Sequence, residues 1–307
     1  MRRRLPYRAF RAGQALTSVT PRPVAHGVAS AVALAVVRLQ PRRIAGLRAN
    51  LGRVVPELDD RALDRLAQRN ACNLAKRWVD VMQMPSRPQL TSRRVYTVDI
   101  DRYERALARG RGIVALSLHF GSWEMGIGGW NVRGRQMAML AERMRPDELF
   151  ERVVAGRAAL GVQVVPIDTH TMRTADPATA RRAGAQAMRG VVRHLRRGEV
   201  VAVAIDRDLI GSGVPMPFFG ADAPIPTGIV DVAIRTGAAL LPIFLIDEGR
   251  KARAEIFPEI QYDAGATDRE AEVLRVTAEA LRTCERIIRR YPEQWHVMSP
   301  IWPADCS

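Results

Sequence analysis

"GIVALSLHFGSWE", Gly112 to Glu124, sets the reading of this chain. Ile113 to Leu118 is an uncharged, mostly apolar run with the length of a strand buried on both faces. Where it stops, His119, Gly121 and Glu124 follow at once. Runs of the same kind recur at 136–140, 162–166, 200–205, 240–246 and 254–257, and helical patterns lie between or after them at 146–160, 180–197, 227–236 and 268–290. A short strand is expected within "TSRRVYTVDI" and a helix over "DRYERALARG". Strands that alternate with helices predict an α/β fold, a central, largely parallel (mixed) sheet with helices on both faces. In such sheets, ligand chemistry collects past the carboxyl ends of the strands. His119, Glu142 and Asp206 each sit just past one.

Upstream of the sheet, Leu63, Leu66, Ala67, Leu74, Trp78 and Met82 recur at helical spacing after Pro56 and a cluster of acids, so 60–82 reads as a helix with one buried face. The start "MRRRLPYRAF", followed later by "VAHGVASAVALAVV", has the basic-then-apolar order of a signal peptide. Pro21, Pro23 and His26 interrupt it, and the run falls short of the ~20 residues of a spanning helix. It reads as a helix lying on a membrane or packed on the domain, with an ordinary amphipathic helix free of lipid as the plainer account. No repeat, low-complexity tract or long linker is visible. Residues 1–90 are therefore taken as an N-terminal helical, membrane-associating region, and 91–307 as one continuous α/β core.

Composition narrows the partners. With 47% hydrophobic residues over 307 positions, the chain can bury a substantial core. Lys plus Arg number 47 against 32 for Asp plus Glu, a formal +15. Such an excess suits a nucleic acid, a phosphate-bearing substrate or an anionic membrane surface and does not choose among them, while arginine abundance also follows from a GC-rich genome. No nucleic-acid motif is present, and the aromatics, 6%, do not interleave with a basic stretch, so no nucleic-acid partner is expected. Cys72, Cys284 and Cys306 are odd in number and far apart. Neither a disulfide framework nor a zinc site is suggested, and a reducing cytoplasm fits.

His119 has the chemistry of a general base. An imidazole titrating near ~6.5 takes a proton from a hydroxyl at neutral pH, and works best when a carboxylate holds its other nitrogen. Glu124, folded back through the turn that Gly121 permits and Ser122 caps, is one candidate acid, and Asp206 is another. The plainer account is a satisfied histidine at a strand terminus. A metal site built from His119, Glu124, Asp206 and Asp208 is not expected, because one histidine is offered and no recognised ligand spacing appears. "AIDRDLIGSGVPMPFFG" ends a strand in Asp206-Arg207-Asp208, which can orient His119 and hold an anionic group, or simply form a polar turn. A loop then leads to the exposed-looking apolar cluster Pro217-Phe218-Phe219, which can plug the core, line a cleft or touch lipid. Glu142 and Arg157 can form an ion pair near the site or stand as surface charges.

"LHFGSWE", "AER" with the arginine of "FERVVAGRAALG", "DRDLIGSGVPMPFFG", "PTGIVDVAIRTGAALLPIF" and "RYPEQWHVMSPIW", with "LRANLGRVVPELD" upstream, together resemble the lysophospholipid acyltransferase superfamily. The resemblance runs from about Arg42 to Trp302 and is nearest to the branch of lipid A biosynthesis lauroyl acyltransferases and phosphatidylinositol mannoside acyltransferases. The DRDL block and the tail favour the mannoside enzymes. What it implies is an enzyme that moves a long-chain acyl group from acyl-CoA, or an acyl carrier protein, to a sugar hydroxyl of an anionic glycolipid at the cytoplasmic face of the inner membrane. No cofactor is implied beyond the acyl-CoA donor. The motif histidine, His119, is then the base, and the motif acid is Glu124, one methylene longer than the family's usual aspartate. The carboxylate that holds the base maps onto Asp206, and Glu142 with Arg157 matches the family's paired acid and arginine. Arg207 and Asp208 are expected near substrate. A lipid A-type acyltransferase, a hydrolase on the same scaffold and a basic membrane-binding protein on a degenerate fold are the rivals.

Overall fold

The computed structural model describes residues 5–84, 94–123, 125–126 and 136–303. Among the described residues four α-helices come first: α1 (Leu5–Val19), α2 (Arg22–Leu39), α3 (Ala45–Val54) and α4 (Asp60–Gln83). Next are β1 (Val95–Val98), α5 (Ile100–Ala108), β2 (Ile113–Ser117), β3 (Met137–Glu142), α6 (Asp147–Ala158) and β4 (Val162–Ile167). After α7 (Thr169–Thr174) and α8 (Pro177–Arg196) come β5 (Val200–Ala204), β6 (Val214–Phe218) and β7 (Ala221–Ile225). The chain then forms α9 (Gly228–Thr236), β8 (Ala239–Asp247), β9 (Ala252–Ile256) and α10 (Arg269–Arg290).

Seven strands form one sheet in the order β1-β9-β8-β2-β5-β3-β4, and β6 with β7 forms a separate hairpin. β2 lies parallel between β5 and β8, β3 pairs parallel with β5 and β4, and β9 turns back antiparallel on β8. The sheet is therefore mixed and mostly parallel. All of β2 is buried, which is why its sequence carries no alternation: both faces are covered, and a polar residue on either would lose its water. Aspartates open several helices by accepting from free N–H groups of the first turn. Asp59 caps α4, Asp168 α7, Asp176 α8 and Asp268 α10.

Two sequence expectations change. Pro21 and Pro23 do not interrupt the N-terminal apolar stretch; they start α2, at its cap and in its first turn. A helix's first N–H groups have no intrahelical acceptor, so proline loses nothing there. The resulting 18-residue helix has a mean hydropathy of 1.3, is apolar and long enough to cross a membrane by length and composition, and is only 11% buried. Likewise the Pro217-Phe218-Phe219 cluster is exposed only at Pro217: Phe218 and Phe219 are buried against Trp295 and Trp302. Phe219 and Gly220, both at positive φ, make the tight turn between β6 and β7 and drive the two rings inward.

The helical region does not stand apart from the sheet. Leu47, Leu51, Leu63 and Leu66 belong to the same buried cluster as Val114, Leu116 and Val203. The segment after α10 runs between the two and is strapped down by buried asparagines. Asn50 donates to Val297 O and Ser299 O and accepts from Ile301 N, while Asn70 donates to Pro292 O and Trp295 O. Each amide replaces ladder bonds that an irregular buried strand cannot make for itself.

Candidate active site

The register of β2 on β5 sets Ser117 opposite Ala204, and two residues further on each strand has left the sheet at the same level. Those two residues are His119 and Asp206. Asp206 Oδ1 meets His119 Nδ1 at 2.8 Å and Asp206 Oδ2 accepts from the His119 backbone N–H at 2.9 Å. The carboxylate thus fixes both the ring and the chain that carries it. Asp206 is fully buried, whereas the His119 side chain is 36% exposed.

A third donor completes the arrangement. The indole Nε1–H of Trp295, itself fully buried, donates to Asp206 Oδ2 at 2.8 Å. Trp295 is brought there by a short antiparallel bridge between its own backbone and Phe120. Flanking bonds extend the clamp, with His296 N donating to His119 O at 2.7 Å and Gly121 N to Gln294 O at 2.9 Å. Gly121 has φ +58, and a Cβ there would stand 1.5 Å from Leu245 O. Only glycine lets the chain turn this close to β8.

Burial acts to raise the Asp206 pKa. The attraction and hydrogen bonds of His119, with the bond from Trp295, outweigh it, and the carboxyl is held below the usual aspartate range. Ionised, Asp206 can only accept, so the proton on His119 sits on Nδ1 and the Nε2 lone pair is left for another group. His296 differs. Burial, followed by the charges of Arg77 and His119, pushes its pKa well down, and its Nδ1 is bonded to Asn70 Oδ1. It is a neutral structural histidine beside an accessible one.

The other expected residues divide. Glu142 ends β3, and its Oε1 accepts from Thr169 Oγ1 at 2.7 Å across the β3–β4 edge. Arg157 is half-buried on α6. Both Asp208 oxygens take backbone N–H groups, Oδ1 from Ile210 and Gly211 and Oδ2 from Gly213, so this side chain shapes the loop that leads to β6. Arg207, half-buried beside Asp206, makes no hydrogen bond or ion pair with a described residue. Glu124 lies outside the described residues. Among the described residues no three His, Cys, Asp or Glu side chains gather as metal ligands.

In the sequence the tail carries no expected role at His119. Trp295 and Gln294 are reached only through the fold. The available signal was general: a buried tryptophan seeks an acceptor for its N–H.

Residues 8–303 match the model of the bacterial lipid A biosynthesis acyltransferase family. The chain is similar to a phosphatidylinositol mannoside acyltransferase of Mycolicibacterium smegmatis, 31% identical over 97% of this chain and 91% of that one. It is also similar to a phosphatidylinositol mannoside acyltransferase of Mycobacterium tuberculosis, 29% identical over 85% of this chain and 78% of the relative. A lipid A biosynthesis palmitoleoyltransferase of Escherichia coli is 25% identical over 83% of this chain and 76% of its own length.

Proposed function

Because this chain belongs to the bacterial lipid A biosynthesis acyltransferase family, we propose that it transfers a long-chain acyl group from acyl-CoA to a sugar hydroxyl of a phosphatidylinositol mannoside, with His119 as general base. The observation that carries the reading is the pair at the carboxyl ends of β2 and β5, a buried, ionised Asp206 under an accessible His119. The mannoside acceptor is favoured by relatives of that name at 31% and 29% identity, against 25% for the lipid A enzyme.

His119 Nε2 takes the proton of the acceptor hydroxyl as its oxygen attacks the thioester carbonyl. Asp206 stabilises the imidazolium that forms. The carbon–sulfur bond then breaks, the thiolate recovers the proton from His119, and the products are the ester and free CoA. No acyl-enzyme is needed. Glu124 is proposed as a second acid at the ring, and Glu142, Arg157, Arg207 and Asp208 as the surroundings of the substrates, with unpaired Arg207 suited to a phosphate. No metal or other cofactor takes part.

Residues 1–90 are proposed to hold the enzyme on the cytoplasmic face of the membrane, with 91–307 as the acyltransferase core. Support comes from the outer face of α2, where Val24, Val28 and Val32 are exposed at every fourth residue. The helix packs lengthwise on α4 and is tied at its start by Arg22 to Asp80, which suits lying in the surface rather than crossing it.

The test is transfer of radiolabelled palmitoyl from its CoA thioester to inner-membrane lipid by wild type and His119→Ala. A labelled glycolipid made by the wild type alone supports the reading, and its mass names the acceptor. Equal labelling by both proteins removes His119 as base, and release of free fatty acid alone makes the protein a hydrolase.

A further inference from the structure

Along one flank of α2 the chain leaves an open trench against α4. Its wider part, about 700 Å³, is lined by Leu34 and Arg38 of α2 and by Arg65, Arg69, Cys72 and Lys76 of α4. These α4 positions follow one another at i, i+4, i+7 and i+11, so they form a single stripe facing the groove. A second cavity of about 490 Å³ adjoins it, shares Asn73, Lys76 and Glu293, and reaches Gly121 and His296. The two form one path from the loop after His119 to the carboxyl end of α2.

The trench is cationic and its charges are idle. Arg38, Arg65 and Arg69 make no hydrogen bond or ion pair with any described residue, and Lys76 bonds to the neutral Asn73 Oδ1 at 3.2 Å. Four cations face one carboxylate, Glu293. Arginines at other places on the surface do find carboxylates, as Arg48 with Asp60 and Asp64 or Arg275 with Glu272, whereas in the trench four cations stand together along one groove. Leu34, Leu58 and Ala62 give the same groove an apolar floor.

On the same helix, roughly 120° away at 3.6 residues per turn, stands the ridge of Val24, Val28, Val32 and Val36, with Leu39 81% exposed at its end. If the ridge enters the acyl layer, the trench lies at the level of the phosphates. We propose that the α2–α4 trench binds the phosphate head group of an anionic phospholipid as a docking site separate from the acyl acceptor. The ligand class follows from the pairing of unspent guanidinium groups with an apolar floor, beside a helix face suited to acyl chains. A nucleotide would ask for a broad stacking surface, and among the described residues neither cavity is lined by a Phe, Tyr or Trp. The inference rests on the membrane-surface reading given above.

Flotation with phosphatidylcholine vesicles, with and without phosphatidylglycerol, tests it. Wild type should prefer the anionic vesicles, and Arg38→Gln/Arg65→Gln/Arg69→Gln should lose on the order of 100-fold of that preference, about fivefold per cation near a charged surface. Arg109→Gln/Arg111→Gln/Arg235→Gln removes the same charge from the region around α9 and should keep the preference. Val28→Ser/Val32→Ser should weaken binding to both vesicle types alike. Equal losses in the two arginine triples would reduce the effect to bulk charge and overturn the trench. So would an unchanged preference in the trench variant, or a raised KM for palmitoyl-CoA with vesicle binding intact, which would make the groove a nucleotide site. A wild type that floats with neither vesicle would sink the membrane reading itself, whereas one that binds both without preference would sink only the trench.

Discussion

Two buried aspartates in this molecule each hold a histidine, and they are built for opposite ends. Asp206 receives its bonds from the His119 ring, the His119 backbone and the Trp295 indole, with no permanent cation among them. Asp80, on α4, receives two bonds from the Arg22 guanidinium and one from His26 Nε2, tying the first turns of α2 to the core. In both, burial acts to raise the carboxyl's pKa and the partners reverse it, so both are held below the ordinary range. The difference lies in what neutralises them. A guanidinium already beside Asp80 leaves His26 a neighbour in an anchor, and only 13% of its side chain is exposed. Without a fixed counter-charge, Asp206 is left to stabilise positive charge on the His119 ring, which the proposed proton transfer requires. Removing the histidine should therefore abolish activity in one place and loosen a helix in the other.

The largest effect that can break this contrast is on turnover. His119→Ala removes the proposed base and should lower kcat on the order of 10²- to 10⁴-fold, and Asp206→Asn should cost about as much, since an amide no longer requires the proton to sit on Nδ1. Steady-state transfer assays on variants with unchanged circular dichroism measure both. If His26→Ala lost as much activity per folded molecule, the two carboxylates would not differ in kind.

Next in size is the anchor. Asp80→Asn leaves Arg22, 14% exposed, without its charge partner, and stability should fall by about 3 kcal/mol, the lower end for breaking a buried pair. Urea unfolding gives the number. The pH dependence has a fixed sign. Because the Asp80 carboxyl is depressed when folded, its contribution is complete above the unfolded value of about 3.9 and drains away as pH falls through the lower folded one. Wild type should therefore lose stability steeply below about pH 4, and Asp80→Asn should show a shallower slope over the same range. An unchanged slope would mean that Asp80 contributes no linkage.

How much of this was legible in the sequence depended on distance along the chain. Strand β2 was readable because both its faces are buried, and His119 because it ends that strand. Asp206 was legible as an acid past a strand end, the resemblance set it against the base ahead of Glu124, and the fold explains the pairing through a register no local pattern contains. The β6–β7 hairpin stayed hidden because Pro215, Pro217 and Pro224 read as loop, although proline is tolerated in a two-stranded ribbon, where every strand is an edge. Residue Trp295 was beyond reach for a different reason. Its partner lies 89 positions upstream, and its approach depends on Asn70 holding the tail, a contact spanning 225 residues. Long-range polar closure has no periodicity to betray it.

The smallest expected effect tests whether Trp295 belongs to the chemistry or only to the core. Trp295→Phe deletes the Nε1–H while keeping a ring against Phe218 and Trp302, whose centroids lie 6.1 and 6.5 Å away. A hydrogen bond to a charged acceptor is worth about 1.5–3 kcal/mol, and with about half of it serving to hold the carboxylate in place against the ring in the transition state, kcat should fall by roughly tenfold. The direction of the pH effect separates the two roles. Without the indole donor, the Asp206 charge is less spent and stabilises the imidazolium more, so the acid limb of kcat/KM moves to higher pH. A packing defect would instead lower the melting temperature and scale activity equally at every pH, leaving the limb in place. A shifted limb with an intact melting temperature makes Trp295 the residue that aims the acid at the base, and an unmoved limb returns it to the core.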